Sequence, residues 1–147
     1  GPGYMKSSKY KKNIKHAHIG KANSQYMNIM NGSGACLFGG FLGTRRIRIF
    51  DWLNAATGWH LTPGQYMEIG ANIQTLKQAF NVCQGLQPKD NRVSDRLLGL
   101  PAQDRGANKG RSVDIEPMIK DYWTLFGWDP ETGIPTQESI DKLTSIA

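Results

Sequence analysis

The stretch from Thr62 to Gly85 constrains the fold more than any other part of the chain. Thr62 is a strong helix N-cap. Pro63 fits the first helical position, where its missing N–H has no consequence, and Gln65 at the third position completes a capping box. Tyr66, Ile69, Ile73, Leu76 and Phe80 then recur at spacings of three and four, the period of one helix face. The spacing predicts a long amphipathic helix from about Pro63 to Val82, ended near Gly85, with the apolar stripe as core.

The same reasoning places further helices around it. Asp114 reads as the cap of a helix running to Phe126, which buries Ile115, Met118, Ile119, Tyr122, Trp123 and Phe126. Gly127 stands at its C′ position and apolar Trp128 follows. Ile47 to Thr57 reads as a short helix ended by Gly58, and residues 22–30 as another. Asp129 to Gly133 is a turn, and Thr136 caps a final helix carrying Ile140 and Leu143. Between residues 85 and 112, Pro88, Gly99, Pro101, Gly106 and Gly110 break every regular element. That crossing is read as loop, with one short turn near Ser94 to Leu98. No alternating run or hairpin turn marks a strand. The fold class is therefore all-α, a multihelical domain with long irregular connections.

The length of 147 residues is one domain's worth of chain. No run reaches the roughly 18 consecutive apolar residues of a membrane span, so no membrane insertion is expected. The net charge of +6 is unevenly placed: residues 1–21 hold six lysines and no acid, whereas residues 22–147 hold twelve basic and twelve acidic groups. The expected organisation is a basic, flexible segment over 1–21 followed by a helical domain over 22–147. Gly1-Pro2 has the form of a scar left by tag removal, so the natural chain is expected to extend upstream. The basic arm lacks arginine and is poor in aromatics, which argues against nucleic acid as a partner. Cys36 and Cys83 cannot form a disulfide framework and fit a reducing, cytoplasmic compartment.

Chemistry is concentrated in Asn31-Gly32-Ser33-Gly34-Ala35-Cys36-Leu37-Phe38-Gly39-Gly40. Glycines allow positive φ and close approach of a ligand to backbone. A thiol set in such a run can meet a cofactor with nothing bulky in the way. Gly39, Gly40 and Gly43 are expected to keep the following stretch irregular, and Arg45, Arg46 and Arg48 form a compact basic group. The histidines are His16, His18 and His60, and no nucleophile–base, zinc-binding or phosphate-binding motif is present, so no catalytic residue is assigned. His16 and His18 lack a third ligand nearby and are read as structural.

Several stretches, in order, resemble the C-terminal part of the tungsten-containing aldehyde:ferredoxin oxidoreductase family. Gly34-Ala35-Cys36-Leu37-Phe38 resembles its Gly-Leu-Cys-x-Phe, and Leu53-Asn54-Ala55-Ala56-Thr57-Gly58-Trp59 its Leu-Asn-Ala-x-Thr-Gly-Trp. Gly70 through Phe80-Asn81-Val82 and Gly85 resembles its Gly-x-Arg-x-x-Asn-Leu-x-Arg-x-Phe-Asn-x-Arg-x-Gly. Asp90 and Asp95-Arg96 fall where it has Asp-Asp-x-x-Pro-x-Arg. Tyr122 through Asp129, then Thr132-Gly133-Ile134-Pro135-Thr136, resembles its Tyr-Tyr-x-x-Arg-Gly-Trp-Asp-x-x-Gly-x-Pro-Thr. Departures stand at Asn31, where the family has Asp, at Asn72, Lys77 and Cys83, where it has Arg, at Gln84, where it has a usually acidic residue, and at Ser94, where it has Pro.

The resemblance implies a multihelical fold and a redox role. By it, Cys36 is the last ligand of a [4Fe–4S] cluster whose other three cysteines lie far upstream. Asn31, Gly34 and Ala35 contact a tungsten or molybdenum bis-pterin. The whole enzyme would oxidise aldehydes to carboxylic acids and pass electrons through the cluster to ferredoxin, and the fragment alone would be inactive. Its partners would be the upstream domains and ferredoxin, with a homodimer formed through apolar surface those domains would cover. Cys83 is expected to be a buried thiol. The alternative is a cofactor-free helical interaction module derived from the same family.

Overall fold

The computed structural model describes residues 13–42 and 47–144. The described residues form seven α-helices: α1 (Ile14–Gly32), α2 (Leu37–Leu42), α3 (Ile49–Thr57), α4 (Pro63–Cys83), α5 (Asp95–Leu98), α6 (Glu116–Leu125) and α7 (Gln137–Thr144). Among the described residues one 3₁₀ turn covers Pro88–Asp90. Extended pairing among the described residues is limited to two isolated bridges, Gln103 with Lys109 and Trp128 with Pro135. The all-α expectation therefore holds.

Local chemistry sets most of the boundaries. Thr62 Oγ1 accepts from the Gln65 N–H at 3.3 Å, and Gln65 Oε1 accepts from the Thr62 N–H at 2.9 Å, the reciprocal capping box expected at the start of α4. At its other end Leu86 N–H donates to the Asn81 carbonyl at 3.0 Å with Gly85 at φ +88°, a Schellman cap. The same cap closes α6, where Trp128 N–H reaches the Trp123 carbonyl at 2.9 Å and Gly127 sits at φ +75°. Gly58, at φ +73°, ends α3 as expected.

Four expectations need correction. α1 begins at Ile14 rather than at 22, inside the stretch assigned to the basic N-terminal segment. Asn13 caps it, its side chain accepting from Lys15 N–H at 3.0 Å. Residues 37–42 form α2 despite Gly39 and Gly40, because six residues ask little of propensity. Asp114 is not the cap of α6: Ile115 already has helical backbone at φ −85°, ψ −25° and occupies the cap position without a side-chain bond. The fourth correction is the stripe on α4, treated below. Residues 1–12, with much of the lysine-rich arm, and Arg45 and Arg46 of the basic group lie outside the described residues; Arg48 is paired with Asp51 at 2.6 Å.

α1 is the central element, with α4 on one side and α6 on another. At the α1–α4 crossing, a Cβ on Gly70 would overlap the Gln25 carbonyl and come within 2.9 Å of Gln25 Cα. Only glycine permits that approach. Around it lies an amide network: Asn28 Nδ2 donates to the Gly70 carbonyl at 3.1 Å and to Gln74 Oε1 at 3.0 Å, and Gln25 Nε2 donates to the Met67 carbonyl at 3.0 Å. Asn28 is buried, and these bonds are what make its burial tolerable. Toward α6, Tyr122 donates its hydroxyl proton to Ser24 Oγ at 2.8 Å, and burial pushes its pKa above the ordinary tyrosine value. Lys21 donates to the Leu125 carbonyl at 2.7 Å and lies 5.3 Å from the Phe126 ring centroid, so a cation sits at the C-terminal end of α6. Its pKa is lowered by partial burial.

Two apolar clusters follow from this frame. The larger joins Ile29, Met30, Ile49 and Tyr66, with Phe50 stacked on Tyr66 at 5.2 Å between ring centroids. The smaller sets Phe126 against Trp128 at 4.9 Å, and Trp128 Nε1 donates to Thr75 Oγ1 at 3.2 Å. The crossing over 85–113 is anchored by buried Pro88, which packs against Gly133 of the Asp129–Gly133 turn.

The apolar stripe of α4 enters the core but does not stay there. Tyr66 is 1% exposed and Ile69 packs on the larger cluster, yet Leu76 is 60% and Phe80 63% exposed. At about 100° per residue, Gln74 and Gln78 lie on the opposite side of the helix from Leu76 and Phe80, and Gly70 lies on the flank between. It is the small and amide side that packs: Gln74 bonds to Asn28, and Gln78 Nε2 donates to the Gly133 carbonyl at 2.9 Å. Cys83, expected to be buried, shares the outward side and is exposed.

Two outcomes test this frame. Alanine ordinarily stabilises a helix interior over glycine by about 1 kcal/mol. At Gly70 the rigid Gln25 backbone reverses the sign: overpacking costs about 1–3 kcal/mol, so Gly70→Ala lowers the melting temperature while Gly64→Ala, whose Cβ would meet only Thr62 Oγ1 at an ordinary 3.9 Å, does not. In the turn, Asp129 Oδ1 accepts from Thr132 Oγ1 at 2.8 Å and from Thr132 and Glu131 N–H at 2.7 and 3.0 Å. These bonds, the Thr132 side chain first, hold its carboxyl below the usual range. A depressed folded pKa adds stability above the unfolded value of about 3.9, lost as pH falls through the folded value. The stability gap between the parent and Asp129→Ala is thus full at neutral pH and narrows below about pH 4, read by thermal melts across pH.

Candidate metal-ligating site at the glycine cap

The glycine-rich run is the C-terminal cap of α1. Ala35 N–H donates to the Met30 carbonyl at 3.0 Å and Gly34 N–H to the Asn31 carbonyl at 3.2 Å, with Gly34 at φ +74°. This is a Schellman motif, and Ala35 makes its apolar contact by packing on the cluster that contains Met30. Ser33 Oγ donates to the Met30 carbonyl at 2.9 Å and tightens the same turn. Cys36 follows directly, and its carbonyl accepts from Gly40 N–H at 2.9 Å, opening α2. The backbone that carries the thiol is thus held from both sides, by the cap behind it and the helix in front.

Cys36 is exposed and lies on the wall of a cavity of about 410 Å³. Gly34 and Ala35 line the cavity too, with Met30, Ile47, Trp52 and Leu53 supplying much of the apolar wall. Of the residues singled out in the sequence, the structure brings Gly34, Ala35 and Cys36 together. Asn31 is exposed on the last turn of α1 and is outside the lining. A Cβ at Gly32 or Gly34 would meet nothing within 4 Å, so the turn leaves open space around it. Gly34 is needed for its positive φ rather than for a close internal contact.

The donor set is incomplete. Among the described residues no group of three His, Cys, Asp or Glu side chains could hold a metal ion. Cys36 therefore fits a metal centre only as one ligand among others supplied from outside the described residues. His18 and His60 are exposed and His16 is half-buried, and none of the three joins such a group.

Trp52, Ile47 and Ala56 were not singled out from sequence as site residues. Trp52 is 55% exposed, and a large indole left open on an otherwise amphipathic helix is the signal that marks it. Within the Leu53–Trp59 stretch, Leu53 and Ala56 line the cavity and Asn54 is structural. Asn54 Nδ2 donates to the Leu61 carbonyl at 2.7 Å, and Asn54 Oδ1 accepts from Leu61 N–H at 2.9 Å and from the Tyr66 hydroxyl at 2.8 Å. Those bonds tie the end of α3 to the start of α4 and set the far wall of the cavity.

Comparison with known proteins places the chain. The family model for aldehyde ferredoxin oxidoreductase, domains 2 and 3, matches residues 3–144. The chain is 37% identical over 117 residues to the tungsten-containing aldehyde ferredoxin oxidoreductase of Pyrococcus furiosus, covering 78% of this chain and 19% of that protein. The protein of the same name from Pyrococcus abyssi matches with the same identity and coverage, and that of Thermococcus kodakarensis is 36% identical over 113 residues, 76% of this chain and 18% of its own length. No solved structure matches. The chain spans about a fifth of the length of these relatives. With the family model running almost end to end, the chain belongs to the aldehyde ferredoxin oxidoreductase family, as its C-terminal domain.

Proposed function

We propose that this chain is the closing part of a redox centre in an enzyme that oxidises aldehydes to carboxylic acids, with Cys36 supplying one thiolate of a [4Fe–4S] cluster. The observation that carries the reading is an exposed thiol, fixed at a glycine cap beside an apolar cavity, with no second ligand among the described residues. A cubane cluster takes four thiolates. The remaining ligands come from the larger part of the enzyme, which the relatives carry in chains about four times as long.

The roles of the residues follow from their positions. The Schellman cap holds the Cys36 sulfur at a set height above the core. Met30, Ile47, Trp52 and Leu53 keep water away from one side of it, and exclusion of water tunes the potential of a thiolate-bound cluster. Gly34 and Ala35 present backbone without bulk to a pterin, and Asn31 offers one amide donor pair and one acceptor to its edge. When bound, the metal–pterin supplies the oxidation of the aldehyde, with oxygen taken from water, and the protein positions and tunes it. Tungsten is the metal in the names of the relatives and is the metal proposed here, with molybdenum as the substitute the same pterin accepts. A cluster held in part by Cys36 would supply the route by which electrons reach ferredoxin. The chain alone, with one ligand of the cluster, is inactive. Both cysteines are free thiols, in keeping with the cytoplasm, and no described helix is long and apolar enough to cross a membrane.

The test is an iron count on the complete enzyme, purified without oxygen. The parent binds about four irons per cluster. Cys36→Ala loses the [4Fe–4S] signal in electron paramagnetic resonance and lowers the iron count, while Cys83→Ala keeps both. Full iron and an unchanged signal in Cys36→Ala would contradict the proposal.

A further inference from the structure

One surface of the fold has no cover among the described residues. α4 packs its Gly70, Gln74 and Gln78 side against α1 and the Asp129–Gly133 turn, and turns its apolar stripe away. Along that stripe exposure rises with distance from Tyr66: Ile69 and Ile73 are half-buried, Leu76 and Phe80 are more than half exposed, and Cys83 is exposed. Leu86, just past the helix, continues the apolar run at 54% exposure. The only charged residues of α4, Glu68 and Lys77, fall at the margins of the stripe at about 100° per residue, and Lys77 is turned toward α1, where it donates to Asn28 Oδ1 at 3.3 Å. A helix face meant for water carries charge; this one carries none.

The occupant can be argued from size. Leu76, Phe80 and Leu86 are three exposed side chains, far fewer than the roughly 20–30 residues a side of a stable interface. A second copy is therefore a poor match. A membrane surface is also a poor match, because a membrane-bound helix carries lysine or arginine along its polar face, and α4 has a single lysine, bonded to α1. A strip of this size fits as one part of a wider face between domains. The relatives carry about four fifths of their length outside the matched region.

We propose that the outward strip of α4, from Ile73 through Leu76, Phe80 and Cys83 to Leu86, is a docking face for the remaining four fifths of the enzyme, joined to this chain or separate from it. The inference rests on the family reading above and adds the surface by which this domain is held against the cluster-bearing part. α4 is then gripped on both sides, by α1 through amides and glycine and by the rest of the enzyme through apolar side chains. The docking places Cys36, at the end of α1, in a fixed relation to the ligands it joins.

Cys83 lies on the strip and reports its cover directly. The test measures the rate at which N-ethylmaleimide labels Cys83, by mass spectrometry, in the isolated 147-residue chain and in the enzyme isolated with all of its chains. The expected result is fast labelling in the isolated chain, at a rate independent of its concentration, and protection of about tenfold or more in the complete enzyme. Leu76→Asp with Phe80→Asp restores fast labelling in the complete enzyme and leaves the melting temperature of the isolated chain unchanged. Equal labelling of Cys83 in the isolated chain and the complete enzyme overturns the docking face, while the iron count separately decides the family reading. Protection that appears in the isolated chain as its concentration rises makes a second copy the occupant and overturns the proposal. A sharp fall in the melting temperature of the doubly substituted isolated chain makes the strip part of this domain's own core and overturns the proposal as well.

Discussion

The contact on which the rest of the structure depends is the crossing of α1 and α4 at Gly70. Bare backbone meets the Gln25 carbonyl there, and Asn28 stitches the two helices through the Gly70 carbonyl and Gln74. Everything of functional interest hangs on the two helices so joined. The C-terminal end of α1 becomes the cap that presents Cys36, and the far side of α4 becomes the uncovered apolar strip. Asn54 extends the same frame by tying α3 to the start of α4, which brings Trp52 and Leu53 to the cavity beside the thiol. A polar crossing at the centre is sustainable because its buried groups have partners; an unpaired Asn28 would cost about 1–3 kcal/mol.

How much of this was legible in the chain depends on the range of the interaction. Caps and turns are local, so Thr62, Gln65, Gly58, Gly85 and Gly127 could be placed from neighbours alone, and the structure puts them at those roles. The outward turn of the α4 stripe was not legible. Apolar periodicity tells which residues share a face, not whether the rest of the domain covers it. Leu76 and Phe80 were misplaced for that reason, and Cys83, expected to be a buried thiol, lies exposed on the same side. The start of α1 was missed because its first turns are polar and cationic and gain their helix from packing Ala17, Gly20 and Ser24 against α6, a long-range effect. At the site, Cys36 with Gly34 and Ala35 stood out in the chain, whereas Trp52 and Ile47 join them only through the fold.

Two exposed features carry the proposals: the Cys36 thiol at the glycine cap, with no metal-holding group of three side chains among the described residues, and the apolar side of α4. They lie on different parts of the domain, one at the end of α1 and one on the back of α4, linked by the rigid crossing between. Under the proposed function, such an arrangement would let the domain supply one cluster ligand while packing remote from that ligand sets its position.

The most direct measurement of the central claim is alkylation of Cys36 in the complete enzyme before and after its iron is removed by a chelator. A cluster ligand is shielded by its iron, so the account predicts that Cys36 resists alkylation in the iron-loaded enzyme and reacts once the iron is gone. Reaction at the same rate in both states would contradict it and leave the glycine cap a purely structural turn.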